Sequence, residues 1–168
     1  MSGPILVVDS SEIRAGKLGE VKAGVEELVA FVEANEADPL AYDIYFDEAG
    51  MLMTVVQIHP DSASLERHLT VAGPVFRRFA DLLTLVKVDV YGRASEAALE
   101  QIRGKARLLG DAPLVVHELH AGFSRFTADG NGSSWALGQL GEPLEQHRPP
   151  STVRGNVLPH QALGELLA

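Results

Sequence analysis

Along the first half of the chain the apolar positions switch between two periods, and the switches mark out six elements. Residues 4–9, PILVVD, form a short continuous apolar run rich in β-branched side chains and closed by polar ones, which predicts a strand. In 16–35, GKLGEVKAGVEELVAFVEAN, the residues Leu18, Val21, Val25, Leu28 and Val32 recur at helical spacing. They form one stripe, and Lys22, Glu26, Glu27 and Glu33 fall largely off it. Asp38-Pro39 ends that helix, because the residue before a proline is biased away from helical geometry. LAYDIYF and MLMTVVQIH then read as two strands joined by DEAG, a hairpin with Gly50 available for positive φ. Pro60 closes the second of these strands, and Asp61 or Ser62 can cap the next helix by accepting from its free N–H groups. SASLERHLTVAGPVFRRFADLL is helical in pattern, with Gly73-Pro74 expected to break or kink it midway. TLVKVDVYG is the fourth strand, with Val86, Val88 and Val90 on one face and Lys87, Asp89 and Tyr91 on the other.

The order βαββαβ predicts an α+β, ferredoxin-like fold, an antiparallel sheet with both helices on one face. The opposite face is left bare, yet the second and third strands have few purely polar sides. Burial against a second copy of the chain is the economical solution, so a homodimer is expected. Beyond Gly92, SEAALEQIRGKARLLG predicts a further helix capped by Ser95 and stopped by Gly110, and LVVHELHAGFSRF a further strand. From Thr127 the chain turns rich in glycine, proline and polar residues and reads as an arm. The expected division is a ferredoxin-like domain over 1–93, its helix–strand extension over 94–126, and a C-terminal arm over 127–168.

Composition narrows the function classes. The formal charge of −9 and the lack of a basic patch argue against nucleic acid and anionic membranes as partners. There is no cysteine, which removes disulfides, thiolate nucleophiles and cysteine-ligated metal together. The start MSGPILVVDS lacks the basic and long apolar regions of a signal peptide, and no apolar run approaches the ~20 residues that span a bilayer. A soluble cytoplasmic protein is the expectation.

The candidate chemistry gathers in TVVQIHPDSASLERHL, where His59, Asp61 and His68 lie close in sequence. Metal-binding pairs on a helix sit three or four positions apart, and His59 and His68 are separated by a strand end and a helix start. Asp61 is better explained as a cap. His117 and His120 point to opposite faces of a predicted strand. No protein-built metal site is expected, and no nucleophile elbow or phosphate loop is present. His68 is different, since it borders the apolar stripe of Leu65, Leu69 and Ala72. It fits a general base in an apolar pocket, and equally a histidine satisfied by a hydrogen bond at the edge of the core. Tyr42 and Tyr45 lie on opposite faces of the second strand, and Tyr91 ends the fourth.

The βαββαβ order, SASLERHL with its histidine, GPVFRRFADLLTL after it and the closing VDVYG together resemble the antibiotic biosynthesis monooxygenase-like domains of the dimeric α+β barrel superfamily. The resemblance covers roughly residues 4–92. It implies a homodimer with sheets packed face to face and a pocket in each subunit between sheet and helices. It also implies a cofactor-independent monooxygenase acting on a small phenolic, quinol or polyketide-like substrate, with no metal, haem or flavin. Haem-degrading members carry an asparagine near the first strand and a pocket tryptophan. Here Asp9-Ser10 stands at the first place, and Trp135 is the only tryptophan. The helix-two histidine of the pattern falls on His68, expected as base or substrate orienter. Tyr45 and Tyr91 are the expected hydrogen-bond donors, and Phe76, Phe79 and Met53 the apolar walls for a small apolar or aromatic molecule. The competing expectation is a non-catalytic dimeric binding or scaffold protein on the same barrel, because fold does not fix function.

Overall fold

The computed structural model describes residues 3–49 and 51–124. In chain order the elements are β1 (Ile5–Ile13), α1 (Leu18–Asn35), β2 (Ala41–Asp47), β3 (Leu52–His59), α2 (Ser62–Phe76), a 3-10 turn (Arg77–Phe79), β4 (Leu83–Tyr91), α3 (Glu96–Leu109) and β5 (Leu114–His117). The sheet order is β2-β3-β1-β4-β5, with β4 and β5 parallel and the other neighbours antiparallel. The α+β ferredoxin-like fold is therefore present, extended by a fifth strand at one edge.

β1 is the central strand, and it runs four residues further than its apolar start predicts. Ile5, Val7, Asp9, Ser11 and Ile13 alternate inward and are all buried. The polar pair Asp9 and Ser11 hides that alternation in the sequence. Pairing on both sides fixes the strand's length instead, with Ser11 opposite Met53 and Leu85, and Ile13 opposite Leu83. The register shifts between Ser10 and Ser11 against β4, a bulge that puts Leu83, Leu85, Val88 and Val90 on one inner face. Strict alternation groups Val86 with Val88 and Val90, as expected from the sequence, and would turn Leu83 and Leu85 to the other face. The bulge instead leaves Val86 half-buried and brings the two leucines inward.

The helices cover that inner face. α1 buries Val21, Val25, Leu28 and Val32, as the stripe predicts. Its Gly24 admits the Phe79 ring so closely that an added Cβ would stand 3.1 Å from a ring carbon. Asp61 caps α2 by accepting from the Ser64 backbone N–H at 2.8 Å, as expected. α2 does not break at Gly73-Pro74 but continues to Phe76. The clash that proline imposes on its predecessor falls partly on that residue's Cβ, and glycine has none. Ser95 caps α3 by accepting from Ala98, and Gly110 ends it at φ 140°. A Cβ at Gly110 would lie 2.7 Å from the Thr84 side chain, so packing as well as backbone conformation selects glycine.

α3 is part of the same core as the ferredoxin-like segment. Ala98, Ile102, Ala106 and Leu109 join the main hydrophobic cluster, and α3 packs against α2 and β4. In the hairpin, Met51 takes φ 52°, while Gly50, the expected positive-φ residue, lies outside the described residues. The expected arm over 127–168 also lies outside them. Among the described residues no helix is long and apolar enough to cross a membrane.

Candidate active site

Between the sheet and the helices lies a small cavity of about 30 Å³. Its walls include Met53, Phe76 and Phe79, the apolar residues expected there, and four polar side chains: Asp9, Ser11, Tyr42 and Lys105. About 10–15 Å³ of such space is enough for one water molecule, so the cavity suits only a very small guest and is otherwise filled by side chains.

Asp9 is the unusual member. It is 3% exposed, and both of its hydrogen bonds fall on one oxygen. Lys105 Nζ donates to Oδ2, and Gln57 Nε2 donates to the same atom at 3.3 Å. Oδ1 is buried with no hydrogen-bond partner. Lys105 itself is held twice, by the carboxylate and by the face of Phe76, whose centroid is 4.5 Å from Nζ.

A line of polar groups extends from Asp9 under the helices. Since Gln57 spends its amide N–H on Asp9, its Oε1 accepts, and His59 Nε2 donates to it at 3.3 Å. That tautomer leaves His59 Nδ1 to accept from Ser64 Oγ at 3.0 Å. Burial pushes the His59 pKa down to about 4, although Asp61 and Asp38 pull it the other way. The imidazole is neutral over the ordinary pH range, as the donor and acceptor pattern requires.

His68 lies deeper. It is 0% exposed, and its Nδ1 meets the two oxygens of Glu36 at 3.0 and 3.2 Å. Its Nε2 is buried without a partner. Burial first, then the charge that His59 takes up in acid and that of Lys105, holds its pKa down at about 3. Glu36 is shifted upward by burial and by Asp38, against a smaller downward pull from Arg67. His68 does not line the cavity. Its ring instead touches Tyr42 at 5.2 Å and Phe76 at 5.9 Å, and these two are wall residues. Tyr42 is shifted far upward by burial, then by Asp9 and Glu36, and remains a phenol that can donate.

The two tyrosines expected as donors are elsewhere. Tyr45 is 57% exposed and pairs with Thr54, on the sheet face away from the helices. Tyr91, 41% exposed, stacks on His117 at 4.4 Å at the β4–β5 edge. Neither reaches the cavity, because strand alternation directs both to the other face. Tyr42 takes the place assigned to them. Sequence reasoning also passed over Asp9, Gln57 and Lys105. Continuing the period-two pattern from Ile5 and Val7 puts Asp9 and Ser11 inward, and Lys105 stands one position before the buried Ala106 on α3. Asp61 is engaged as a cap, and among the described residues no three acidic or histidine side chains are grouped to hold a metal.

No family model matches the chain, and no curated protein matches it. Solved structures do. MupZ from Pseudomonas fluorescens is 22% identical with a TM-score of 0.59, over 74% of this chain and 91% of that one. Rv0793 from Mycobacterium tuberculosis is 18% identical with a TM-score of 0.48, over 56% and 99%. A protein from Caulobacter crescentus CB15 described as a candidate antibiotic biosynthesis monooxygenase is 15% identical with a TM-score of 0.39, over 67% and 83%. At these identities the likeness is one of fold.

Proposed function

We propose that the chain is a cofactor-independent enzyme in which Asp9 takes a proton from a small phenolic, quinol or polyketide-like substrate, the resulting anion then reacting with dioxygen. The observation that supports it is the divided carboxylate of Asp9. One oxygen is fixed by Lys105 and Gln57, and the other is buried, unpartnered and part of the wall of an apolar cavity. An unpartnered buried acceptor costs about 1–3 kcal/mol, a strain that a substrate hydroxyl would relieve. Buried polar atoms nearly always have a partner, so an open one calls for an explanation.

The chemistry follows from the neighbours. A phenolic proton passes to Oδ1, and negative charge moves from Asp9 to the substrate. Lys105 stands beside both sites and stabilises either location of the charge. The Tyr42 hydroxyl, held as a phenol, is available to donate to the substrate oxygen. An electron-rich phenolate with an activated CH2 group can then give four electrons to dioxygen. One oxygen atom enters the product as C=O and the other leaves as water. Phe76, Phe79 and Met53 keep the anion away from bulk water. In this reading His68 orients Tyr42 and Phe76 from behind and is not the base. The resemblance to the antibiotic biosynthesis monooxygenase-like domains supports the oxygen step. The half-buried outer row Leu6, Val8, Val56 and Ile58 supports a homodimer.

The small volume of the cavity favours a second reading, a dimeric binding or scaffold protein without a reaction. Oxygen uptake with a panel of anthrone-like and hydroquinone substrates separates the two. Uptake by the unmodified protein, reduced about 10²–10⁴-fold in Asp9→Asn, supports catalysis. No uptake above the buffer rate across the panel supports the scaffold.

A further inference from the structure

Lys105 and Phe76 belong to two spaces at once. On one side they wall the Asp9 cavity, and on the other they line a groove of about 720 Å³ between α2 and α3. The two helices run in the same direction and are joined at intervals. Ser95 Oγ meets Glu66, Gln101 Nε2 donates to Thr70 Oγ1 at 3.2 Å, and Lys105 Nζ lies over the Phe76 ring. Between the Thr70–Gln101 and Phe76–Lys105 links stand Gly73 on α2 and Gly104 on α3. A Cβ added at Gly73 would meet nothing within 4 Å, and one at Gly104 only the Arg107 side chain at 4.0 Å. Neither glycine has positive φ, and neither lets another element approach closely. Their effect is to leave the slot free of side chains.

The charge of the slot is as distinctive as its shape. Its lining holds two cations, Arg77 and Lys105, and no carboxylate, in a chain of net charge −9. Lys105 is engaged by Asp9. Arg77 is exposed, and among the described residues it forms no ion pair, whereas its neighbour Arg78 pairs with Glu27 at 2.5 Å. Leu108, 42% exposed, adds an apolar wall on the α3 side.

We infer that the α2/α3 groove is the entry and outer subsite of the Asp9 cavity, and that its ligand is an amphipathic carboxylate. The apolar body lies over Gly73, Gly104 and Leu108, and the carboxylate is held by Arg77 at the mouth. Lys105 and Phe76 form the partition, and outward movement of Lys105 joins the two spaces. The assignment rests on the proposed function only for what happens at the inner end. The groove's shape and charge stand apart from it.

Calorimetric binding to the full-length protein tests it, with octanoate as the anionic probe and octan-1-ol as its neutral counterpart. Octanoate should bind at least fivefold more tightly than octan-1-ol, and Arg77→Gln should remove that preference. Gly104→Leu should weaken both probes at least tenfold without lowering the melting temperature, since leucine is the better helix former at a position with open space. Gly104→Ala should bind as the unmodified protein does. Leu108→Gln, at an exposed site that cannot unfold the chain, should weaken both probes at least threefold. Equal binding of the two probes, or unchanged binding in both Gly104→Leu and Leu108→Gln, would overturn the inference. Because binding is read without turnover, a protein that passes these tests yet consumes no oxygen keeps the groove and loses the monooxygenase.

Discussion

Lys105 on α3 closes an ion pair with Asp9 on β1, across 96 positions of the chain. The side chains are 11% and 3% exposed, so the pair is withdrawn from water at both ends. α3 lies beyond the βαββαβ segment, yet it supplies the counter-charge for the carboxylate at the centre of the sheet. The helix after β4 therefore belongs to the site as well as to the core.

The pair should be costly to break from one side. Lys105→Met leaves Asp9 with Gln57 alone and should destabilise the protein by about 3–5 kcal/mol, the usual result of stranding a buried charge. Adding Asp9→Asn to it should recover most of that loss, because a neutral amide needs no counter-ion. Urea unfolding of the two single variants and the double variant checks this. A purely additive double variant would mean that the two groups do not interact.

Acid should unfold the protein early. Burial holds His59 at about 4 and His68 at about 3, both below the ordinary 6.5, so the folded chain takes up protons less readily than the unfolded one. Stability should fall as pH drops below about 6.5 and continue to fall towards 3, by about 3 kcal/mol for His59 and somewhat more for His68, whose shift is the larger. Glu36 acts in the opposite sense, since its raised pKa favours the folded state in acid, and it offsets part of the loss. His68→Gln keeps a donor for Glu36 and removes one titration. Urea midpoints measured from pH 7 to pH 4 should show a clearly shallower slope in that variant. An unchanged slope would place the acid sensitivity elsewhere.

What the sequence made legible was local. The helical stripe of α1, the caps Asp61 and Ser95 and the stop at Gly110 each depend on a few consecutive residues, and each is found as expected. Features set by distant partners were not legible. β1 extends through Asp9 and Ser11 because β3 and β4 pair with it there, and β4 changes face at a bulge that no periodicity announces. The same holds for the site. His68 stood out as a histidine on an apolar border, but its partner is Glu36, 32 positions away. Asp9 looked like the polar end of a strand, and although the period-two pattern turns it inward, only the position of Lys105 shows what pairs its charge there.

The caps provide a test free of the site. Asp61→Ala and Ser95→Ala each remove a side-chain acceptor from a helix N-terminus, and each should cost about 0.5–2 kcal/mol. Ser95 also contacts Glu66 on α2, so its loss should be the larger of the two. Thermal unfolding should show a double variant that departs from additivity, because the Ser95 N–H donates to Ser62 Oγ at 2.9 Å, beside the Asp61 cap.

The outer sheet face supplies the last prediction. Val56 sits in the middle of β3 with its side chain away from the helices, opposite Val8 on one neighbour and Asp43 on the other. In a lone subunit a lysine there would face water and lie near the Asp43 carboxylate, so the cost to folding should stay below about 1 kcal/mol. In a homodimer built sheet to sheet, the same ammonium would be stripped of water, a loss that one neighbouring carboxylate does not offset, and symmetry would place a second ammonium close by. Val56→Lys should therefore convert a dimer to a folded monomer, with the mass from light scattering halved and the circular dichroism spectrum kept. If the unmodified protein already has the mass of one chain at tens of micromolar, the sheet face is solvent-facing and the barrel assembly falls. The Asp9 cavity would survive that result, since one subunit already supplies Asp9, Lys105, Tyr42 and the apolar walls.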